Sequence, residues 1–342
     1  MITKTVKEIH DFFLQEIHDG KRRSLMDFMN TVPGFLSKGP DGLDIMNVSL
    51  GMEYYRICEK MADDAILMKI KPNPIMNIAT EYLSVHSVNF DDPQSFNNEL
   101  AYGVYDFKYR GFTYTYGCFK ESVSPIVGVN KKGDDDIGTA YYIGDNCFIT
   151  AGHCVTGLDS FKLLKPDGTP YKLKEVWLAS GYNIDDYDLA ILVADESPLC
   201  RPLWLGEPAV LDDVLVMGFP PVPGLNTVLT AETASVATYN KIQCKAVVGQ
   251  DVAKASTYFN QLDYFLINAR VKGGNSGGPV INSGGRVIGT VVQIPFDSEG
   301  GFDGGRFDIM GFGICLPSKY TEELSRNHDV RGLSVDGDGY KL

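Results

Sequence analysis

Residues 273–281 read Gly-Gly-Asn-Ser-Gly-Gly-Pro-Val-Ile, a glycine-rich loop that runs into an apolar segment. Paired glycines on both sides of one serine allow the backbone to adopt unusual dihedral angles and to lie close to a ligand. Such a loop can direct several N–H groups at one point, as the stabilisation of an oxyanion requires. Ser276 is therefore the candidate nucleophile of this sequence.

A serine hydroxyl is a weak nucleophile, so it needs a base, and the base needs an acceptor that orients it. His153 follows an apolar strand within the sequence Thr-Ala-Gly-His-Cys, and Asp188 directly precedes the apolar run 189–193. Alone, such a histidine is usually structural and such an aspartate is usually a turn or cap residue. Together with Ser276 they occur in the order His, Asp, Ser, which is the chymotrypsin order and not that of subtilisin or the α/β-hydrolases.

The segments around these three residues resemble the trypsin-like (chymotrypsin-fold) serine peptidases over about residues 121–326, and the bacterial HtrA-like branch is nearest. The sequence Val-Met-Gly-Phe-Pro at residues 216–220 is also similar to a segment of that branch. The resemblance implies a mainly β fold with two antiparallel β-barrels and an active site in the cleft between them. His153 and Asp188 would come from the first barrel and Ser276 from the second.

The resemblance also implies the role of each residue. His153 would accept the Ser276 proton, Asp188 would orient His153, and the N–H groups of Gly274 and Ser276 would form the oxyanion hole. Asp185 and Asp186 are close enough to compete with Asp188. We prefer Asp188 because the apolar strand starts there and the family places its aspartate directly before that strand.

The primary specificity pocket is assigned by the same resemblance to Arg270 and Gln293. Six residues before the nucleophile, where trypsin-type enzymes carry an aspartate, this chain has Arg270. A cation in the pocket would repel substrate Lys and Arg. Two alternatives remain open. If Arg270 lines the pocket, acidic residues are favoured; if it points to solvent, small or medium apolar residues are favoured.

The seven cysteines are scattered and form no C-x-x-C pair, which is typical of reduced thiols. Secreted members of the resembled family bridge the cysteine after the histidine to one about 16 residues earlier. Here Cys154 is present, but position 138 is Gly138. With no signal peptide evident at the first residues, we expect a cytoplasmic protein. The five histidines lie far apart, so we expect neither a metal site nor a cofactor.

The composition is that of a globular protein, with 342 residues, 44% hydrophobic and 22% charged. It excludes a disordered chain, a collagen-like chain and a coiled coil. The formal charge of -13 disfavours nucleic acid and anionic lipid as partners. No apolar run approaches the ~20 residues that span a bilayer. The expected partner is a protein or peptide substrate.

Residues 1–120 resemble no family that we can name, and we predict an α+β extension. Helical spacing predicts a helix over 5–18 and another within 48–70, and Ser24 is placed to cap a short helix between them. Alternating aromatic residues predict a β-hairpin over 105–116. The predicted domains are 1–120, the peptidase domain 121–326, and a C-terminal tail 327–342. The extension could recruit substrate, inhibit the site or bind a regulatory partner or ligand.

The sequence therefore predicts a serine endopeptidase that uses a Ser-His-Asp triad and an acyl-enzyme intermediate. The alternative is a catalytically silent peptidase-fold module that binds protein. An esterase with the same triad is disfavoured, because the Gly-x-Ser-x-Gly elbow is missing.

Overall fold

The computed structural model describes residues 4–19, 22–73, 75–85, 93–179, 187–220, 244–256, 262–292, 312–337 and 339–342. The chain divides into two compact units, Met1–Gly111 and Phe112–Leu342. The predicted domain limits at residues 120 and 326 stay predictions. Among the described residues, no helix has the length and apolar character needed to cross a bilayer.

The first unit combines helices with short antiparallel strands. Its helices are α1 (Val6–Asp19), α2 (Leu25–Met29), α3 (Val48–Asp63), α4 (Pro93–Tyr102) and α5 (Val104–Arg110). Its strands are β1 (Arg23–Ser24), β2 (Leu36–Lys38), β3 (Asp44–Met46), β4 (Leu67–Lys71) and β5 (Glu81–Ser84). One sheet has the order β1-β5-β4, and β2 pairs with β3.

The predicted helices of this unit are confirmed as α1, α2 and α3. Val6, Ile9 and Phe13 lie on one face of α1 and are fully buried in the core of the unit. The Ser24 side chain accepts the backbone N–H of Asp27, and the Asp27 carboxylate accepts the N–H of Ser24. This capping box fixes the start of α2.

The predicted hairpin over 105–116 is wrong, because those residues form α5 and α6 (Phe112–Phe119). Gly111 separates the two helices with a φ of 73°, a left-handed conformation that ends α5. Asp106 and Arg110 pair at 3.0 Å across one helical turn, and both side chains are almost fully buried. A buried charge pair spaced four residues apart requires a helix, and it outweighs the alternation of aromatic residues.

The second unit is mainly β. Its first strands are β6 (Val123–Asn130), β7 (Asp135–Gly144), β8 (Cys147–Thr150), β9 (Leu158–Leu163), β10 (Leu173–Ala179) and β11 (Ala190–Ala194). The next are β12 (Trp204–Leu205), β13 (Asp213–Gly218), β14 (Lys245–Ser256), β15 (Asp263–Ile267), β16 (Pro279–Asn282), β17 (Arg286–Val291) and β18 (Gly313–Pro317). The last are β19 (His328–Gly332), β20 (Ser334–Asp336) and β21 (Gly339–Lys341). Its further helices are α7 (His153–Thr156) and α8 (Ser318–Arg326).

These strands form two sheets. The first has nine strands in the order β19-β10-β11-β8-β7-β6-β9-β21-β20 and is nearly closed. In the second, β17-β16-β13-β14-β15-β18 form a barrel that the β17–β18 pairing closes. The predicted fold class is confirmed: a mainly β chain with two chymotrypsin-like barrels and an α+β N-terminal region. β19, β20 and β21 belong to the first sheet, since β19 pairs with β10 and β21 with β9 and β20.

The turn between β7 and β8 sets the register on which the candidate site depends. Asp145 and Asn146 both have positive φ, 49° and 63°. A two-residue turn with both central residues left-handed is type I′, which matches the twist of a hairpin. β7 and β8 therefore form a tight hairpin, which leads the chain to His153.

Candidate active site

The antiparallel pairing of β8 with β11 brings His153 and Asp188 together. Thr150 of β8 lies opposite Ala190 of β11. His153 follows Thr150 by three residues at the start of α7, and Asp188 precedes Ala190 by two. Because the strands run in opposite directions, both side chains emerge at the same edge of the sheet.

The Asp188 carboxylate contacts His153 in three ways. Its Oδ1 and Oδ2 lie 3.0 and 2.8 Å from the His153 Nδ1, and Oδ1 also accepts the backbone N–H of His153 at 2.8 Å. The Asp188 side chain is 7% exposed and the imidazole 37%. Gly152 permits this close approach, since a Cβ there would lie 3.3 Å from Oδ1. With Nδ1 facing the carboxylate, Nε2 faces away from it and is available for proton transfer.

The pKa of His153 lies well above its ordinary value. Burial of the ring acts to lower this pKa, but the charge and hydrogen bonds of Cys154 and Asp188 raise it by more. A carboxylate against Nδ1 stabilises the imidazolium form. The neutral ring, which can accept a proton, therefore becomes the main form only above the usual histidine range.

The N–H groups of the serine loop (residues 272–278) differ in whether they donate hydrogen bonds inside the protein. Three of them donate inside the protein: Asn275 to the carbonyl of Lys272 (2.9 Å), Gly277 to that of Val291 (2.7 Å) and Gly278 to that of Asn275 (2.8 Å). Within the described part of the chain, the N–H groups of Gly274 and Ser276 donate no hydrogen bond. The N–H groups of Lys272 and Gly273 donate none there either, and those of Gly274 and Ser276 lie on either side of the engaged Asn275 N–H.

Two glycines of the serine loop are required by its conformation. Gly274 has a φ of +89°, and a Cβ there would lie 2.7 Å from the carbonyl oxygen of Phe219. This positive φ is what the third residue of a type II turn adopts. Gly277 has a φ of +80°, and its Cβ would overlap the carbonyl oxygen of Thr139. Neither position can carry a side chain without moving the backbone.

Contacts from β7 and α7 hold the loop near His153. The Thr139 N–H donates to the Ser276 carbonyl at 2.8 Å, and the Cys154 thiol lies 3.5 Å from the same oxygen. Cys154 directly follows His153, so the Ser276 backbone lies beside the residue next to the histidine. Within the described residues, the Ser276 hydroxyl and the His153 ring make no hydrogen bond to each other. Such bonds are often long before substrate binds and tighten in the complex.

Of the two residues predicted to form the specificity pocket, the structure describes only Arg270. Arg270 is exposed to solvent after β15. Its neighbour Val271 packs beside Ile267 at the start of β18, where a Cβ on Gly313 would lie 2.7 Å from Val271 Cγ2. Gln293 lies outside the described residues, as do Asp185 and Asp186.

Sequence reasoning missed Thr139, which contacts the serine loop through both its backbone and its side chain. Its Oγ1 donates to the carbonyl of Gly274 at 2.6 Å, and the side chain is fully buried. The small neighbours Gly138 and Ala140 are the one signal in the sequence that another backbone approaches here.

All seven cysteines are free thiols. Among the residues that the structure describes, no group of three or more His, Cys, Asp or Glu side chains is arranged to hold a metal ion.

Comparisons with known proteins agree with this fold. Residues 138–289 match the family model of the trypsin-like peptidase domain. The chain is 31% identical over 197 residues to Protease Do-like 2, chloroplastic, of Arabidopsis thaliana, covering 57% of this chain and 28% of that protein. It is 28% identical over 209 residues to Serine protease Do-like HtrA of Lactobacillus helveticus, covering 59% and 45%. The chain therefore spans less than half the length of these relatives.

Among solved structures, the active form of the Rv3671c protease from M. tuberculosis matches with a TM-score of 0.45 and 21% identity. The alignment covers 66% of this chain and 87% of that one.

The matched segment contains His153, Asp188 and Ser276, together with most strands of both sheets. Residues 138–289 thus form a trypsin-like peptidase domain. Through its curated relatives, the chain is related to the HtrA-type serine proteases.

Proposed function

We propose that this protein is a serine endopeptidase that hydrolyses peptide bonds of protein substrates through Ser276, His153 and Asp188. The observation that carries the proposal is the convergence of three distant segments. The His153–Asp188 pair is joined at 2.8 Å, and the Cys154 thiol beside it reaches the Ser276 carbonyl. The fold and the family match support a serine-type protease, and the roles of the three residues extend that match to this chain.

In the proposed mechanism, Ser276 Oγ attacks the carbonyl carbon of the scissile bond while His153 Nε2 takes its proton. His153 then gives that proton to the departing amine, and the acyl group stays on Ser276 as an ester. Water, activated by His153 in the same way, hydrolyses the ester and restores the serine. Asp188 holds the imidazole with Nδ1–H toward itself and stabilises the imidazolium that forms in each half-reaction.

We place the oxyanion hole at the N–H groups of Gly274 and Ser276. Within the described residues neither N–H donates a hydrogen bond, and the two flank the engaged N–H of Asn275, which supports this role. Removing one donor from such a site typically costs about 3–4 kcal/mol of transition-state stabilisation.

The test is labelling by a fluorophosphonate probe, followed by turnover of a peptide library. The proposal expects wild-type protein to be labelled at Ser276 and to cleave peptides, and Ser276→Ala to lose both. Ser283→Ala, which changes an exposed serine in the turn between β16 and β17, is the matched control. Turnover that survives Ser276→Ala would contradict the assignment.

For specificity, we propose that the residue before the scissile bond is small or medium and apolar. The solvent exposure of Arg270 and the apolar packing of Val271 beside Gly313 support this alternative over an acidic preference. A cleavage profile dominated by Lys or Arg at that position would contradict it.

The second candidate function is a catalytically silent module that binds protein. The observation in its favour is that the Ser276 hydroxyl makes no hydrogen bond to His153. The probe separates the two, since a silent module would bind peptide without being labelled.

We also propose that residues 1–120 bind a regulatory partner or ligand. We propose further that the protein works in a reducing compartment, and that this compartment is the cytoplasm. The seven free thiols support the second statement.

A further inference from the structure

Thr139 of β7 joins the serine loop to the sheet that carries His153. Its side chain hydroxyl donates to the Gly274 carbonyl at 2.6 Å, and its backbone N–H donates to the Ser276 carbonyl at 2.8 Å. The same hydroxyl accepts the N–H of Phe219 at 3.2 Å. One fully buried residue therefore binds the carbonyls of both residues whose N–H groups form the proposed oxyanion hole.

We propose that Thr139 is a positioning residue that holds the oxyanion hole in its productive geometry. The proposal rests on the proposed function. A peptide plane is rigid, so fixing the Gly274 carbonyl fixes the rotation of the Gly274–Asn275 peptide. Two backbone bonds act on the same peptide, because the Phe219 N–H donates to the Gly274 carbonyl at 3.2 Å and the Asn275 N–H donates to Lys272 at 2.9 Å. The glycine itself restrains the adjoining Gly274 N–H little. At 2.6 Å the Thr139 hydroxyl makes the shorter of the two hydrogen bonds that the Gly274 carbonyl accepts, so it adds restraint that the glycine lacks.

The contact between Thr139 and the serine loop also links the proposed nucleophile to its base. The Thr150 hydroxyl donates to the Thr139 carbonyl at 2.7 Å, and Thr150 lies three residues before His153. Both threonines are fully buried. Serine loop, Thr139, Thr150 and the strand that leads to His153 thus form one continuous chain of hydrogen bonds.

The surrounding backbone is shaped for a threonine at this position. A Cβ on Gly218 would lie 3.0 Å from the Thr139 Oγ1, and a Cβ on Gly278 would lie 3.5 Å from its Cγ2. The backbone leaves room for both the methyl group and the hydroxyl of Thr139. Valine can therefore replace threonine with the same side-chain shape, and only the hydrogen bonds of the hydroxyl are lost.

The experiment compares Thr139→Val with Thr139→Ser, which keeps the hydroxyl. Thr290→Val is the matched control, because it also removes a buried hydroxyl, one that pairs with the Tyr141 hydroxyl at 2.8 Å and not with the serine loop. We expect Thr139→Val to lower kcat roughly 10- to 100-fold with little change in KM. Thr139→Ser should restore most of kcat, and Thr290→Val should keep it.

A second readout separates positioning from general loss of structure. The affinity for a peptide aldehyde, whose adduct places an oxyanion in the hole, should fall in Thr139→Val by the same factor as kcat/KM. The affinity for the matching peptide alcohol, which forms no adduct, should not fall. Equal loss for both inhibitors, or a wild-type kcat in Thr139→Val, would overturn the proposal.

Amide hydrogen exchange of residues 273–278 provides a test that needs no turnover. Exchange there should speed up in Thr139→Val and not in Thr290→Val, and unchanged exchange would overturn the proposal. If Thr139→Val does not fold, the pair Thr139→Ser and Thr139→Ala is measured in the same way. Ser276→Ala distinguishes the two claims: retained turnover in Ser276→Ala contradicts the proposed function, whereas the exchange result concerns Thr139.

Discussion

The two halves of the peptidase domain hold their candidate residues by different means. In the nine-stranded sheet, His153 and Asp188 are fixed by side chains that contact each other at 2.8 and 3.0 Å. In the closed barrel, Ser276 is fixed by the backbone, through glycines with positive φ and carbonyls that accept hydrogen bonds. The first arrangement should therefore be sensitive to changes of charge, and the second to the addition of a single carbon atom.

The largest effect is expected from Asp188→Asn, which removes the charge and keeps the shape. Activity should fall about 10⁴-fold, because the amide no longer fixes the imidazole tautomer. In wild type, kcat/KM should rise with pH through the raised pKa of His153, since the neutral ring is the base. Without the anion that pKa falls, so the acidic limb of the variant should move to lower pH. An unmoved limb in a complete pH profile would contradict this.

Gly277→Ala tests the backbone half. The added methyl would overlap the Thr139 carbonyl oxygen and force a residue at a φ of +80° to move. We expect kcat/KM to fall about 100-fold and the protein to lose about 2 kcal/mol of unfolding free energy. Gly273→Ala is the control, since no heavy atom lies within 4 Å of a Cβ there. Equal effects of the two substitutions on activity would argue against the comparison.

Gly138→Cys should create a disulfide with Cys154 and join β7 to α7. A Cβ on Gly138 would lie 3.1 Å from the Cys154 Cβ, close to the ~3.5–4.5 Å separation in disulfides. Oxidation should remove two titratable thiols and raise stability by up to about 3 kcal/mol relative to the reduced variant.

The control for this disulfide is Gly138→Ala, whose methyl would lie 2.6 Å from the Cys154 Sγ with no bond to form. It should lower the melting temperature under all redox conditions. If both thiols of the Gly138→Cys protein stay free under oxidising conditions, β7 and α7 do not allow the disulfide to form.

The smallest effect concerns Asp251, a fully buried residue of β14. Burial is the main cause that raises the pKa of Asp251, and the charge of Asp212 raises it further. The backbone N–H of Ala253 and the charge of Lys254 lower this pKa by less. A raised folded pKa means that the folded state holds a proton which the unfolded state has lost. The stability from this group is present below the unfolded value of about 3.9 and is lost as pH rises through the folded pKa.

Asp251→Asn should therefore be more stable than wild type at pH 7, by on the order of 1 kcal/mol, and the difference should shrink toward pH 4. Urea unfolding at several pH values measures it. Asp195→Asn, which changes an exposed aspartate just after β11, is the matched control.

The sequence was sufficient to predict the β architecture and to select His153, Asp188 and Ser276 as candidates, because glycine pairs and strand ends leave a local pattern. It was not sufficient for Thr139, whose role depends on a loop that lies 135 residues away. It was misleading for residues 105–116, where the aromatic alternation fits a strand and the buried Asp106–Arg110 pair requires a helix. Both differences between prediction and structure depend on side-chain contacts in the folded protein, which a local pattern of residue types does not reveal.

The pairing of β19 with β10 and of β21 with β9 has a consequence for the order of events during protein synthesis. About 150 residues separate the end of β10 from the start of β19. At ~5–20 residues per second, the ribosome needs roughly 10–30 s to make that stretch. The sheet that carries His153 therefore keeps its β9 and β10 edges uncovered until the last strands emerge. The candidate site is then completed only after residues 328–341 have been made.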